Sequence, residues 1–202
     1  MRTGKLALAV LMTAGASAAT DPSTEVHIYV RGEQHVDLLV THGAQRQASE
    51  MLRSAGIRIV WKFGRPDHAP CCKPQVVLEY ETDTNRAPDV MGYAFPNGDG
   101  SGGIKILYRR IVARRRRPEK VLAHVIVHEV THMLQGIPRH AESGIMKALW
   151  SRKDYEQMDR SPLEFTAIDI QLIQAGVAKR IAKASGDKAS GYNSPVPQVT
   201  IP

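Results

Sequence analysis

The segment His128-Glu129-Val130-Thr131-His132 constrains this chain more than any other. Two histidines four residues apart on a helix share one face, about 6 Å apart along the axis. From there their nitrogens can converge on one metal at roughly 2.0–2.1 Å. Glu129 projects near the same point without having to ligate, and can take a proton from a water on that metal. The residues just before, Val121-Leu122-Ala123-His124-Val125-Ile126-Val127, are apolar almost all round, so the helix is expected to be buried. Polar groups on a buried helix need partners, and a metal supplies one. Gly136 can end the helix in the left-handed conformation, after which the chain can turn back and deliver His140. Three protein ligands with one open position is the pattern of a catalytic zinc site, not of a closed structural one. His128, His132 and His140 are therefore the candidate ligands of one Zn2+ ion, and Glu129 is the candidate general base.

His128, Glu129, His132, Gly136 and His140, with Gly144-Ile145-Met146 downstream, resemble the metzincin zinc metalloproteases, whose pattern is HExxHxxGxxH followed by a methionine-containing turn. The resemblance implies a Met-turn at Met146 and a helix-ending turn at Gly136. The spacing departs from the pattern: the glycine comes one residue late and the third histidine two residues late, with Pro138 at the usual ligand position. The loop to His140 must bulge. Some metzincins add a tyrosine ligand two residues after the methionine; that position is Ala148, so none is expected.

Hydrophobic periodicity gives an ordered set of elements. Residues 25–30 alternate and are β-branched, a strand, as are 57–61, 75–80 and 104–108. Residues 34–55 carry apolar positions at helical spacing and end at Gly56. Residues 91–95, bounded by Pro88 and Pro96, read as a short edge strand. Pro118 opens the motif helix. Ser161-Pro162-Leu163-Glu164 reads as a capping box that begins a last helix ending near Ser185-Gly186. Periodicity alone says mixed α+β. The order of elements looks like a metzincin: a twisted mixed sheet with two helices, the active-site helix, the Met-turn and a C-terminal helix.

The domain organisation follows. Arg2 and Lys5, the apolar run Leu6 to Met12 and the small residues Ala16-Ser17-Ala18 read as a cleaved signal peptide over 1–18, too short for a membrane span. Residues 25–183 form the catalytic domain in this reading, and 184–202 a disordered tail. A secreted or periplasmic protein is expected, with no membrane span elsewhere. Cleavage removes Arg2 and Lys5 from 27 basic residues, leaving 25 against 20 acidic ones, with the excess gathered in Arg109, Arg110 and Arg114 to Arg117. No aromatic residues interleave with these arginines, so specific nucleic-acid binding is not expected, and the run reads as a solvated connection with weak attraction to anionic surfaces. Cys71 and Cys72, the only cysteines, are adjacent and can form a strained disulfide, pair with another chain or remain thiols.

His124 lies one turn before His128 on the same face and reads as a packing or supporting residue, because Glu129 and Gly136 fit the later pair. Trp150 reads as core, and Tyr155 as a cleft residue able to hydrogen-bond substrate. The expected activity is hydrolysis of peptide or protein substrates by zinc-activated water. Two other classes fit the same residues: a noncatalytic zinc-binding scaffold of this fold, or an exported basic module that binds anionic polymers through its arginines.

Overall fold

The computed structural model describes residues 24–64, 66, 74–81, 86–96, 102–113 and 116–184. The expected signal peptide, both cysteines, Arg114, Arg115 and the residues after 184 lie outside this set. Five strands form one sheet in the order β2-β1-β3-β5-β4: β1 (Glu25–Arg31), β2 (Arg58–Phe63), β3 (Gln75–Glu81), β4 (Gly92–Pro96) and β5 (Gly102–Leu107). β1 pairs in parallel with β2 and β3, and β3 with β5, while β4 runs antiparallel to β5 at the sheet edge. The fold is a mixed α+β one, as expected.

Alternation decides which face of the sheet is buried. Val76, Leu78 and Tyr80 of β3 point into the core with Val26, Ile28 and Val30 of β1 and Ile104 and Ile106 of β5. Helix α1 (Leu38–Ser54) and helix α3 (Pro118–Gln135) cover that face and pack on each other. Asp37 starts α1 by accepting the Leu39 and Val40 N–H groups, so the helix begins four residues later than the apolar spacing indicates. The strand expected over 104–108 ends at Leu107, and Tyr108 opens a short helix, α2 (Tyr108–Val112). The buried Tyr108 hydroxyl accepts the Asp37 N–H at 3.0 Å, which ties α2 to the start of α1.

The C-terminal half departs from expectation in one respect. Ser161 does not cap a helix; it ends one, α4 (Arg152–Arg160), which is polar and buries only Met158. That helix is started by a capping box between Ser151 and Asp154. Residues 161–166 form no helix because the core holds their backbone: Leu163 N–H donates to His124 Nε2 at 3.0 Å, and Glu164 O accepts Ile145 N–H at 3.0 Å. Pro162 favours the extended conformation found at Ser161. The last helix, α5 (Ala167–Ala184), starts instead with Thr166 and Asp169 bonded reciprocally, a capping box five residues further on. α5 lies tightly on α3, since a Cβ at Gly176 would run into the Leu134 carbonyl.

Candidate metal centre

The site is built on α3, whose residues 121–134 are all buried. Pro118 opens the helix and Gly136, at φ 69°, closes it with its N–H on the His132 carbonyl at 2.9 Å. His128 and His132 keep 8 % of their surface exposed and Glu129 7 %, so all three sit at the floor of a cleft. The cleft is about 580 Å³ and is lined by β4, the loop 86–91, His140 and residues 147–150.

His128, His132 and His140 come together, with their ligand nitrogens all within 4.8 Å of one another. His128 Nε2 and His132 Nε2 are 3.0 Å apart, and His132 Nε2 and His140 Nε2 are 3.3 Å apart. Nitrogens bound tetrahedrally at roughly 2.0–2.1 Å from one zinc are separated by about 3.3 Å. The opposite ring atoms fix the tautomers. His128 Nδ1 donates to the Ile145 carbonyl at 2.9 Å, and His132 Nδ1 makes a long bond to the Ile137 carbonyl at 3.4 Å. Burial pushes the His128 pKa down to about 4, and the neighbouring His132 and His140 push the same way. His132 and His140 are also lowered by burial. At neutral pH the facing Nε2 atoms therefore present lone pairs to one another, an arrangement a cation between them relieves. The donor set fits a zinc ion on chemistry and spacing alike.

The Met-turn supports the same ring. Gly144, at φ 73°, is packed so closely on the Glu164 carbonyl that a side chain would clash. The turn it makes presents the Ile145 carbonyl to His128 and buries Ile145 and Met146 completely. Ala141 N–H donates to the Met146 carbonyl at 2.7 Å, closing the loop that carries His140. His140 is itself exposed.

Glu129 faces the cleft beside these histidines. Burial raises its pKa to about 8, opposed by a hydrogen bond from the Ala94 backbone on β4. Room for it depends on Gly92: a Cβ there would approach Glu129 Cγ to 3.2 Å and Val125 Cγ1 to 2.9 Å. Glycine inside a strand marks such close approaches, a signal already visible in the sequence.

His124 is not part of the cluster. Its Nδ1–H donates to the Lys120 carbonyl at 2.7 Å and its Nε2 accepts from Leu163, so both ring nitrogens are occupied. Trp150 lies edge-on to His124 and His128, with centroids 6.2 and 5.7 Å away, and borders the cleft together with Tyr155. Trp150 is thus both packing and wall. Arg110 corrects the reading of the arginine run as a solvated connection. Its guanidinium donates to the Ala87 carbonyl, to Val90 O at 2.9 Å and to Arg86 O at 2.9 Å, clamping the loop that leads into β4. Sequence inspection missed this because the acceptors are backbone carbonyls, which leave no signature in residue type.

No protein-family model matches the sequence, and no curated protein is detectably similar to it. Among solved structures the chain is similar to archaemetzincin from Methanopyrus kandleri, with TM-score 0.54 and 16 % identity over 78 % of this chain and 97 % of that one. The identity is low, so the likeness speaks to architecture, where it agrees with the element order and the Met-turn. This chain has a metzincin-like fold.

Proposed function

We propose that the protein is a zinc-dependent endopeptidase in which His128, His132 and His140 hold one metal ion and Glu129 is the general base. The observation that carries the reading is the convergence of three imidazole nitrogens beside a buried carboxyl at the floor of an open cleft. A zinc ion held there supplies Lewis acidity, polarising a carbonyl and lowering the pKa of water toward neutrality.

The chain's own groups account for the rest. β4 is the sheet edge, so an extended peptide can lie along Gly92 to Phe95 and pair with its backbone, which asks little of substrate sequence. The Glu129 carboxylate takes the proton of the attacking water and returns it to the departing amine nitrogen. Burial strengthens this carboxyl as a base, and a cation held by the three histidines would favour its ionised form near neutral pH. A noncatalytic scaffold would need the three histidines but not an acid buried beside them. Export to a secreted or periplasmic compartment belongs to the same proposal and is supported by the signal-peptide pattern of residues 1–18. Among the described residues no helix is long and apolar enough to cross a membrane.

The experiment is Glu129→Gln against wild type, both lacking residues 1–18, assayed on an unfolded protein substrate near neutral pH with zinc added. Glutamine keeps size and hydrogen bonding but cannot accept the proton. Cleavage should fall by about 10²–10⁴-fold with zinc content unchanged. Equal cleavage by the two proteins removes Glu129 from the mechanism, and a zinc-loaded wild type that cleaves nothing turns the reading to the scaffold.

A further inference from the structure

The three histidines are not secured in the same way. His128 and His132 have Nδ1 on a backbone carbonyl, whereas the Nδ1 of His140 has no hydrogen-bond partner among the described residues. Beyond its ring contacts with His128 and His132, the place of the His140 ring is therefore decided by the backbone on either side of it. Downstream, Ala141 is held by the Met146 carbonyl and bridges Lys147. Upstream, Arg139 Nη1 donates to Asp169 Oδ1 at 2.5 Å.

Asp169 is a fixed point. Its side chain is 0 % exposed, and its second oxygen accepts the Thr166 N–H at 3.0 Å and the Thr166 hydroxyl at 2.6 Å. Its backbone carbonyl takes a 3.4 Å bond from Gln135 Nε2 at the end of α3. Asp169 thus joins three places: its carboxylate ties the start of α5 to the residue before His140, and its backbone carbonyl takes the weak bond from the end of the motif helix. The loop from His132 to His140 has two residues more than the metzincin pattern, and the slack they introduce needs an anchor.

We propose that Arg139 and Asp169 are positioning residues that hold His140 in the ligand set and thereby set the affinity of the site for zinc. The proposal rests on the zinc-site reading above and adds to it a pair outside the three histidines. Partners that orient a metal ligand are typically worth about 10–100-fold in metal affinity when lost, and here the orientation acts through the backbone.

The test uses the double variant Arg139→Met/Asp169→Asn, which leaves no unpaired buried charge and keeps an acceptor for the Thr166 cap. Zinc dissociation constants are measured by chelator competition, and the visible spectrum of the cobalt(II)-loaded protein reports the ligand set. The melting temperature of the metal-free protein is followed in parallel to separate loss of fold from loss of ligand geometry. The expected result is zinc binding weakened about 10–100-fold with an altered cobalt spectrum, and Arg139→Lys recovering most of the affinity. Should the double variant not fold, Arg139→Gln alone carries the same comparison. Zinc affinity and cobalt spectrum equal to wild type, in a folded variant, overturn the proposal. A wild type that takes up no zinc overturns the zinc reading itself and this inference with it, so the two failures are told apart by the wild-type titration.

Discussion

Helix α3 places His128, Glu129 and His132 among buried apolar neighbours, each within 8 % of full burial, while His140 is exposed on a loop that leaves the helix at Gly136. On the helix, 3.6-residue geometry and core packing aim the side chains, and single backbone bonds from Ile145, Ile137 and Ala94 complete their orientation. On the loop, the same task falls to specific bonds: Ala141 on Met146 and Arg139 on Asp169. The cleft wall opposite follows the same rule, since loop 86–90 is held by the guanidinium of Arg110. Half of this site is thus held mainly by burial and half by a few polar contacts, so the two halves should fail differently.

The helix half should fail with acid. The His124 ring is bonded as the neutral form between Lys120 O and Leu163 N–H, and burial pushes its pKa down to about 4. Above pH about 6.5 neither the folded nor the unfolded chain protonates it, so stability is unaffected. As pH falls from about 6.5 to about 4, the unfolded chain takes up a proton that the folded one refuses. Stability is then lost at about 1.4 kcal/mol per pH unit, to a total of about 3 kcal/mol. Urea melts of metal-free protein across that range measure it. His128 adds a like fall of its own in the metal-free protein, so His124→Gln should reduce the slope by about 1.4 kcal/mol per pH unit without abolishing it, and an unaltered slope would mean that the buried helix face does not respond to acid as described.

The loop half should fail with smaller, local changes. Arg110→Ala frees loop 86–90 without touching the histidines. The expected result is KM raised about tenfold, equivalent to about 1.4 kcal/mol of substrate binding, with kcat and zinc content near wild type. Steady-state kinetics on a single peptide decide it. A fall in kcat with KM unchanged would place Arg110 in the chemistry and blur the division between the two halves.

The same division explains what could be read before the structure. The motif helix, the alternating strands and the edge strand were legible because burial imposes period 3.6 on one and period 2 on the others. His128, Glu129 and His132 were legible because helix geometry converts sequence spacing directly into position. His140 was found by its chemistry, but what holds it was not, because Arg139 and Asp169 are 30 residues apart and look like ordinary surface charges. Helix α4 was missed because it buries a single apolar side chain, Met158, leaving no stripe to detect. The start of α5 is not legible because Ser161-Pro162-Leu163-Glu164 satisfies the local rule for a cap, while the long-range bonds of Leu163 and Glu164 keep the segment out of the helix.

The proposed zinc site draws its three histidines from these two halves. It is tested most directly by metal content per chain in wild type, His132→Ala and His140→Ala, each purified with zinc and passed through a desalting column. The expected result is one zinc per wild-type chain, none in His132→Ala, and a strongly reduced content in a still-folded His140→Ala. Wild type emerging without zinc, or His132→Ala retaining it in full, would contradict the account.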